Sequence, residues 1–171
     1  YCLGMNPARV LVVDDEALIR WSIKERLSEA RLRVREAETA AEALAAAEDG
    51  VDLVLLDYRL PDADGLTVLK RIKDLDPDTV VLMLTGHGSV GVAVEAMKQG
   101  AFHYLTKPFD LEELAVLVDK GLETTRLRRE VKALRASRSE PYAIERMIGE
   151  SEAMRQIKAL FARIAASPAS T

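Results

Sequence analysis

A single cysteine, Cys2, is all the thiol this chain possesses. An internal disulfide is therefore excluded, and with no second cysteine a thiolate metal cage is excluded too. Cys2 itself reads as a bystander near the start of the chain. Aromatic residues make up only 5% of the sequence, which leaves little for base-stacking surfaces or aromatic cages. No stretch approaches the roughly 18 uninterrupted apolar residues of a membrane span, and Tyr1 to Pro7 lacks a basic region followed by an apolar one. A cytoplasmic protein with no membrane partner is expected. What remains, 171 residues with 49% apolar and 30% charged side chains, is enough for one globular domain plus an appendage.

The formal charge of −4 hides an asymmetry. Residues 1–122 carry 14 basic and 22 acidic side chains (−8), whereas residues 123–171 carry 10 basic and 6 acidic (+4). A basic tail can signal nucleic-acid binding. Here the positive charges fall in a helix-forming run from Arg126 to Arg138 that also holds Glu130 and has no interleaved aromatics, so a solvated helix face is the better reading.

Two short apolar runs, Val10 to Val13 and Val51 to Leu56, each stop at an aspartate, and a third, Val80 to Leu84, stops at Thr85. Runs that are apolar on both faces are the pattern of strands buried in a parallel sheet beneath helices. Between them Ile19, Ile23 and Leu27 recur at a spacing of four. Ala40, Ala43, Leu44 and Ala47 recur at helical spacing after Thr39, an N-cap with Glu42 three residues on. A weaker edge strand is expected from Arg33 to Glu38 and a last strand from Phe102 to Thr106. The order is that of five β/α units over residues 9 to about 122, an open, doubly wound α/β sheet of flavodoxin-like order 2-1-3-4-5 whose ligands bind at the carboxyl ends of the strands. The last helix runs from Leu111 to about Ser137 as a C-terminal extension, broken at Ser137 to Pro141.

In such a sheet Asp14 and Asp15 end the first strand and Asp57 ends the third, beside it. Two carboxylates about 4 Å apart repel by about 4 kcal/mol at an effective dielectric near 20, so a cation must hold them or their pKa values must move. A few oxygen ligands favour hydrated Mg²⁺ over a closed calcium cage, and His87 and His103 are not needed as ligands. Thr85 after strand four and Lys107 after strand five supply a hydroxyl and a positive charge opposite the acids. Acids with Mg²⁺, a hydroxyl and a lysine suit a phosphoryl group, and a carboxylate there can serve as the nucleophile.

The segments VLVVDDE (Val10 to Glu16), LVLLDYRLPDADG (Leu53 to Gly65), LTGHG (Leu84 to Gly88) and YLTKPF (Tyr104 to Phe109) resemble a response-regulator receiver domain, over residues 8–122. The resemblance implies Asp57 as the phosphoacceptor, with Asp14, Asp15, Asp57 and the backbone carbonyl of Arg59 around Mg²⁺. It places Thr85 and Lys107 on the phosphoryl oxygens and a cis peptide before Pro108. It further implies a switch in which Thr85 moves toward the phosphoryl group and Tyr104 turns inward; plain core packing is the other reading of Tyr104. Arg59 and His87 resemble positions that tune dephosphorylation, against a reading as ordinary loop residues. The implied partner is a histidine kinase.

Gly86-His87-Gly88-Ser89-Val90-Gly91 has the literal form of a dinucleotide fingerprint, but it follows the fourth strand, and the first turn, Asp14-Asp15-Glu16, is anionic. A dinucleotide-binding α/β enzyme is accordingly the distant alternative, and a stand-alone receiver acting by docking is the nearer one. Trp21 and the methionines carry no cofactor pattern and are expected to pack. Thr124, Leu127, Val131 and Leu134 form a short a/d stripe in residues 123–140, expected as a helical dimerisation linker in a homodimer. Met147 to Ser167 is similar to the opening of the AAA+ domain in sigma-54-dependent activators of the NtrC type, yet no G-x-x-x-x-G-K-[ST] occurs in the chain. Residues 141–171 are therefore expected to be the truncated start of that ATPase domain, in a parent that binds DNA and sigma-54 RNA polymerase, though not through this piece. The chain is expected to phosphorylate itself rather than act as an enzyme on a substrate. Tyr1 to Gly4, ahead of Met5, are expected to be a cloning remnant.

Overall fold

The computed structural model describes residues 6–86, 90–139 and 152–165. The apolar runs form β1 (Arg9–Val13), β3 (Leu53–Asp57) and β4 (Val80–Thr85), flanked by β2 (Arg33–Ala37) and β5 (His103–Thr106). All pairs are parallel and the order is β2-β1-β3-β4-β5, as expected. The helices between them are α1 (Ala17–Ser28), α2 (Ala40–Glu48), α3 (Gly65–Leu75), α4 (Val90–Lys98) and α5 (Leu111–Ser139). Helix α6 (Glu152–Ala165) follows.

Strand side chains alternate between the two faces. Leu11, Val13, Val54, Leu56, Val81 and Met83 pack under Ala43 of α2, Leu69 and Ile72 of α3 and Ala96 of α4. Val10, Val12, Leu53, Leu55, Leu82 and Leu84 pack against Ile23 and Leu27 of α1 and Leu114 and Val118 of α5. Both faces are apolar because both are covered, which is why the strands read as continuous apolar runs. The N-cap expected at Thr39 is made, its hydroxyl accepting from the Glu42 N–H at 3.2 Å.

One expectation fails. Trp21 is 59% exposed, because the buried stripe of α1 is Arg20, Ile23 and Leu27 and a residue 100° round from Arg20 points away from it. Of the methionines, Met83 is buried as expected but Met97 is 44% exposed.

The compact unit built on the sheet extends to Glu130, with a second unit from Val131 to Thr171. Helix α5 is therefore tied to the sheet beyond residue 122. The reason is a set of polar bonds at the amino-terminal edge of the sheet, opposite the strand ends that carry the acids. Thr125, buried, donates to the Asp52 carbonyl at 2.8 Å. Arg129 pairs with the Asp52 carboxylate, with Asp76 Oδ2 at 3.0 Å and with the Val51 carbonyl at 3.0 Å. In the second unit α6 presents Ile157, Leu160 and Phe161 to solvent.

Removing the Arg129 guanidinium leaves the partly buried Asp52 and Asp76 carboxylates without their cation. Arg129→Ala is expected to lower the unfolding free energy in urea by about 2 kcal/mol, whereas a loss below about 0.5 kcal/mol would mean that the pairs only decorate the surface.

Candidate functional site

The strand register assembles the site. Val13 of β1 pairs with Leu56 of β3, so Asp14 and Asp57 leave neighbouring strands one residue later. Asp57 pairs with Leu84 of β4, and Thr85 pairs with Thr106 of β5, immediately before Lys107. Asp14, Asp57 and Thr85 are all buried, whereas Asp15 and Glu16 are exposed. The peptide between Lys107 and Pro108 is cis. Gly65 opens α3 hard against the strand end: a Cβ there would lie 2.6 Å from the Asp57 carbonyl oxygen and 2.8 Å from Tyr58 Cα, and no side chain fits at such distances.

Lys107 is the hub. Its ammonium donates to Asp14 Oδ2 at 2.7 Å and sits 3.2 Å from Asp57 Oδ2 and 3.6 Å from Glu16 Oε1. Burial alone would lower its pKa, but the hydrogen bond to Asp14 and the charges of Asp57 and Asp14 outweigh it and raise the pKa above the usual lysine value. The opposite balance holds at Asp57. Burial raises its pKa, the Lys107 charge lowers it, the Asp14 charge raises it again, and the net shift is upward.

The carboxylate oxygens of Asp14, Asp15 and Glu16 lie within 4.8 Å of one another, as a group able to hold a metal ion. The donors are oxygen only and one of them is buried, which fits a hard, partly hydrated cation such as Mg²⁺ and not a soft metal. Asp57 lies outside that group and is joined to it through the shared Lys107 ammonium. A single antiparallel backbone pairing of Arg59 with Asp64 closes the loop after Asp57.

Thr85 donates to the Leu105 carbonyl at 3.5 Å. Tyr104 is 40% exposed and stacks on His103 with ring centroids 5.7 Å apart, so it is not a core residue. His87, with Gly88 and Ser89, lies outside the described residues. Two participants escaped the sequence reading. Glu16 completes the acidic group, and its place in the run Asp14-Asp15-Glu16 was the available signal. Arg20 is 6% exposed and donates to the Asp14 carbonyl at 2.7 Å; its signal was a charge in line with Ile23 and Leu27 on an otherwise apolar helix face.

Residues 10–119 match the response regulator receiver domain. The chain belongs to that family. It is 35% identical over 164 residues to the DNA-binding transcriptional regulator NtrC of Proteus hauseri, an alignment covering 95% of this chain and 34% of the relative. It is 38% identical over 167 residues to the response regulator protein PilR of Pseudomonas aeruginosa, covering 96% and 35% respectively. The crystal structure of NtrX from Brucella abortus superposes with a TM-score of 0.71 at 37% identity, over 95% of this chain and 35% of that one. This receiver chain thus spans about a third of the length of the curated relatives it matches. Among the described residues no helix is long and apolar enough to cross a membrane.

Since folding raises the Asp57 pKa, it penalises the carboxylate form. The penalty vanishes below about pH 4, where the side chain is protonated folded or unfolded, and it is complete once pH exceeds the raised folded value. The metal-free receiver with Asp57→Asn is therefore expected to show a higher urea midpoint than its parent near neutral pH, with the difference closing as pH falls toward about 3.5. A difference independent of pH would contradict the assignment.

Proposed function

We propose that this receiver accepts a phosphoryl group from a histidine kinase on Asp57. The observation that carries the reading is the ammonium of Lys107 held between Asp14 Oδ2 and Asp57 Oδ2 at 2.7 and 3.2 Å. A buried carboxylate with a raised pKa is a poor anion to leave bare, and it gains from becoming an acyl phosphate whose charge sits on oxygens facing solvent and cations. A carboxylate oxygen of Asp57 forms the new bond to phosphorus as the phosphorus–nitrogen bond of the donor histidine breaks, and the freed imidazole keeps the electron pair. Asp14, Asp15 and Asp57, with the Arg59 backbone carbonyl, would hold Mg²⁺, which supplies neutralisation of the gathered negative charge. Lys107 then pairs with a phosphoryl oxygen and Thr85 donates its hydroxyl to another.

The same reading makes Thr85 and Tyr104 the switch: the Thr85 hydroxyl leaves the Leu105 carbonyl for the phosphoryl group, and the exposed Tyr104 ring follows inward. Arg59 and His87 tune the hydrolysis of the acyl phosphate in this reading. The exposed Leu18, lining a groove of about 290 Å³ with Ile19, Lys107 and Phe109, gives the kinase an apolar landing beside the lysine that contacts Asp57. On the output side, Leu127, Val131 and Leu134 are 48, 45 and 58% exposed along one helix, which supports residues 123–140 as the dimerisation linker of a homodimer following a receiver of residues 8–122. Residues 141–171 are read as the start of an AAA+ ATPase domain, of which α6 is described while 141–151 and 166–171 lie outside the described residues. DNA binding and sigma-54-dependent activation belong to the parent protein in this reading, and its setting is the cytoplasm.

Acetyl phosphate with Mg²⁺ is expected to label the wild-type chain with one acid-stable, base-labile phosphoryl group, and Asp57→Asn is expected to abolish the label. Undiminished labelling of that variant would overturn the assignment.

A further inference from the structure

The two walls of the acidic pocket are tied to a common third point. On the β1 side the buried guanidinium of Arg20 donates to the Asp14 carbonyl at 2.7 Å and reaches Glu38 Oε1 at 2.5 Å and Glu36 Oε1 at 3.6 Å. The Asp14 N–H adds a bond of 3.1 Å to the Ala37 carbonyl. On the β3 side Asp62, five residues past Asp57, accepts from the Ala40 N–H at 2.7 Å and from the Ala41 N–H at 3.0 Å. These bonds cap α2 from a different part of the chain, and the Ala40 bond in particular holds the Asp62 carboxyl below the usual carboxylate range. Helix α2 already has its own cap: Thr39 accepts from Glu42 N–H and Glu42 Oε2 accepts from Glu38 N–H at 2.8 Å. Thr39 leaves the Ala40 and Ala41 N–H groups of the first turn unmet, so the Asp62 bonds satisfy them and at the same time fix the position of the loop that carries Asp62.

We infer that the corner between β2 and α2, Glu38 to Ala41, is a brace that sets the spacing between the Asp14–Asp15 turn and the loop after Asp57, with Arg20 and Asp62 as its two positioning residues. Neither touches the reacting atoms. The inference rests on the reading of the pocket as a Mg²⁺ site for phosphoryl transfer. Magnesium demands near-octahedral oxygens at about 2.1 Å, so two carboxylate walls that drift apart by a few tenths of an ångström lose affinity. Partners that orient ligands from behind typically change metal affinity by about 10- to 100-fold.

The test is calorimetric titration of the metal-free full chain with Mg²⁺, alongside its urea midpoint. Asp62 is exposed, so Asp62→Ala folds, and its Mg²⁺ dissociation constant is expected to rise about 10-fold. Asp62→Asn keeps one acceptor oxygen and is expected to lose less. Arg20→Gln is expected to weaken binding by a similar factor, and the double variant should bind no worse than the weaker single one, since either break frees the same brace. A purely structural role lowers the urea midpoint without moving the Mg²⁺ affinity of the folded protein. An Asp62→Ala value within twofold of wild type, or losses that multiply in the double variant, overturns the inference while leaving the phosphoacceptor reading intact. Wild-type protein with no Mg²⁺ binding sensitive to Asp14→Asn sinks both.

Discussion

Two carboxylates from adjacent parallel strands, both buried, cannot share one strand edge without a cation between them, and in this receiver that cation is the ammonium of Lys107. Asp14 and Asp57 are one residue past a paired position on β1 and β3, so their proximity is a consequence of register and cannot be relaxed without breaking the sheet. Lys107 enters from the far side of β4, after β5, and spans both acids. The cluster works only as long as the five strands keep their order, which ties the chemistry of the pocket to the packing of the whole sheet. Each of the three charged groups depends on the other two: the acids hold the lysine protonated, and the lysine partly offsets the cost of burying Asp57.

The opposite edge of the sheet follows the same economy on a different element. There Arg129 satisfies Asp52, Asp76 and the Val51 carbonyl, and the consequence is that α5 stays bound past the last strand's own contacts. The close approach of Gly121, where a Cβ would lie 2.6 Å from Leu53 Cδ1, lets that helix lie flat against β3 and β4. Charge is thus buried at both ends of the strands and paired at both, so neither edge leaves a bare ion in the core.

Most of the sheet was legible because burial on both faces writes itself as uninterrupted apolar runs, and the three central runs end at Asp14, Asp57 and Thr85, the buried polar residues of the candidate site. The places of Asp14, Asp57 and Thr85 were readable from that punctuation, whereas Lys107 follows a strand that is no apolar run and was placed by the β/α order. Trp21 was not legible, since an aromatic on a helix is apolar by type and only the phase of Arg20, Ile23 and Leu27 reveals that it faces outward. Arg20 was hidden for the converse reason: an arginine is charged by type, and only its phase with Ile23 and Leu27 shows that it lies on the buried stripe. Asp62 was invisible because its partners, the Ala40 and Ala41 amides, are backbone groups more than twenty positions away, and side-chain patterns carry no trace of such a bond. Arg129 was not legible either, because it sits in a tail whose charges read as solvated, yet it pairs with Asp52 and Asp76 beneath the sheet.

Lys107 is the cation that makes a buried Asp57 tolerable, and carbon-13 NMR titration of the Asp57 carboxyl in metal-free wild type and Lys107→Met reads this out. The apparent pKa of Asp57, already raised, is expected to climb further when the ammonium is removed. A value that stays put or falls in Lys107→Met would contradict it.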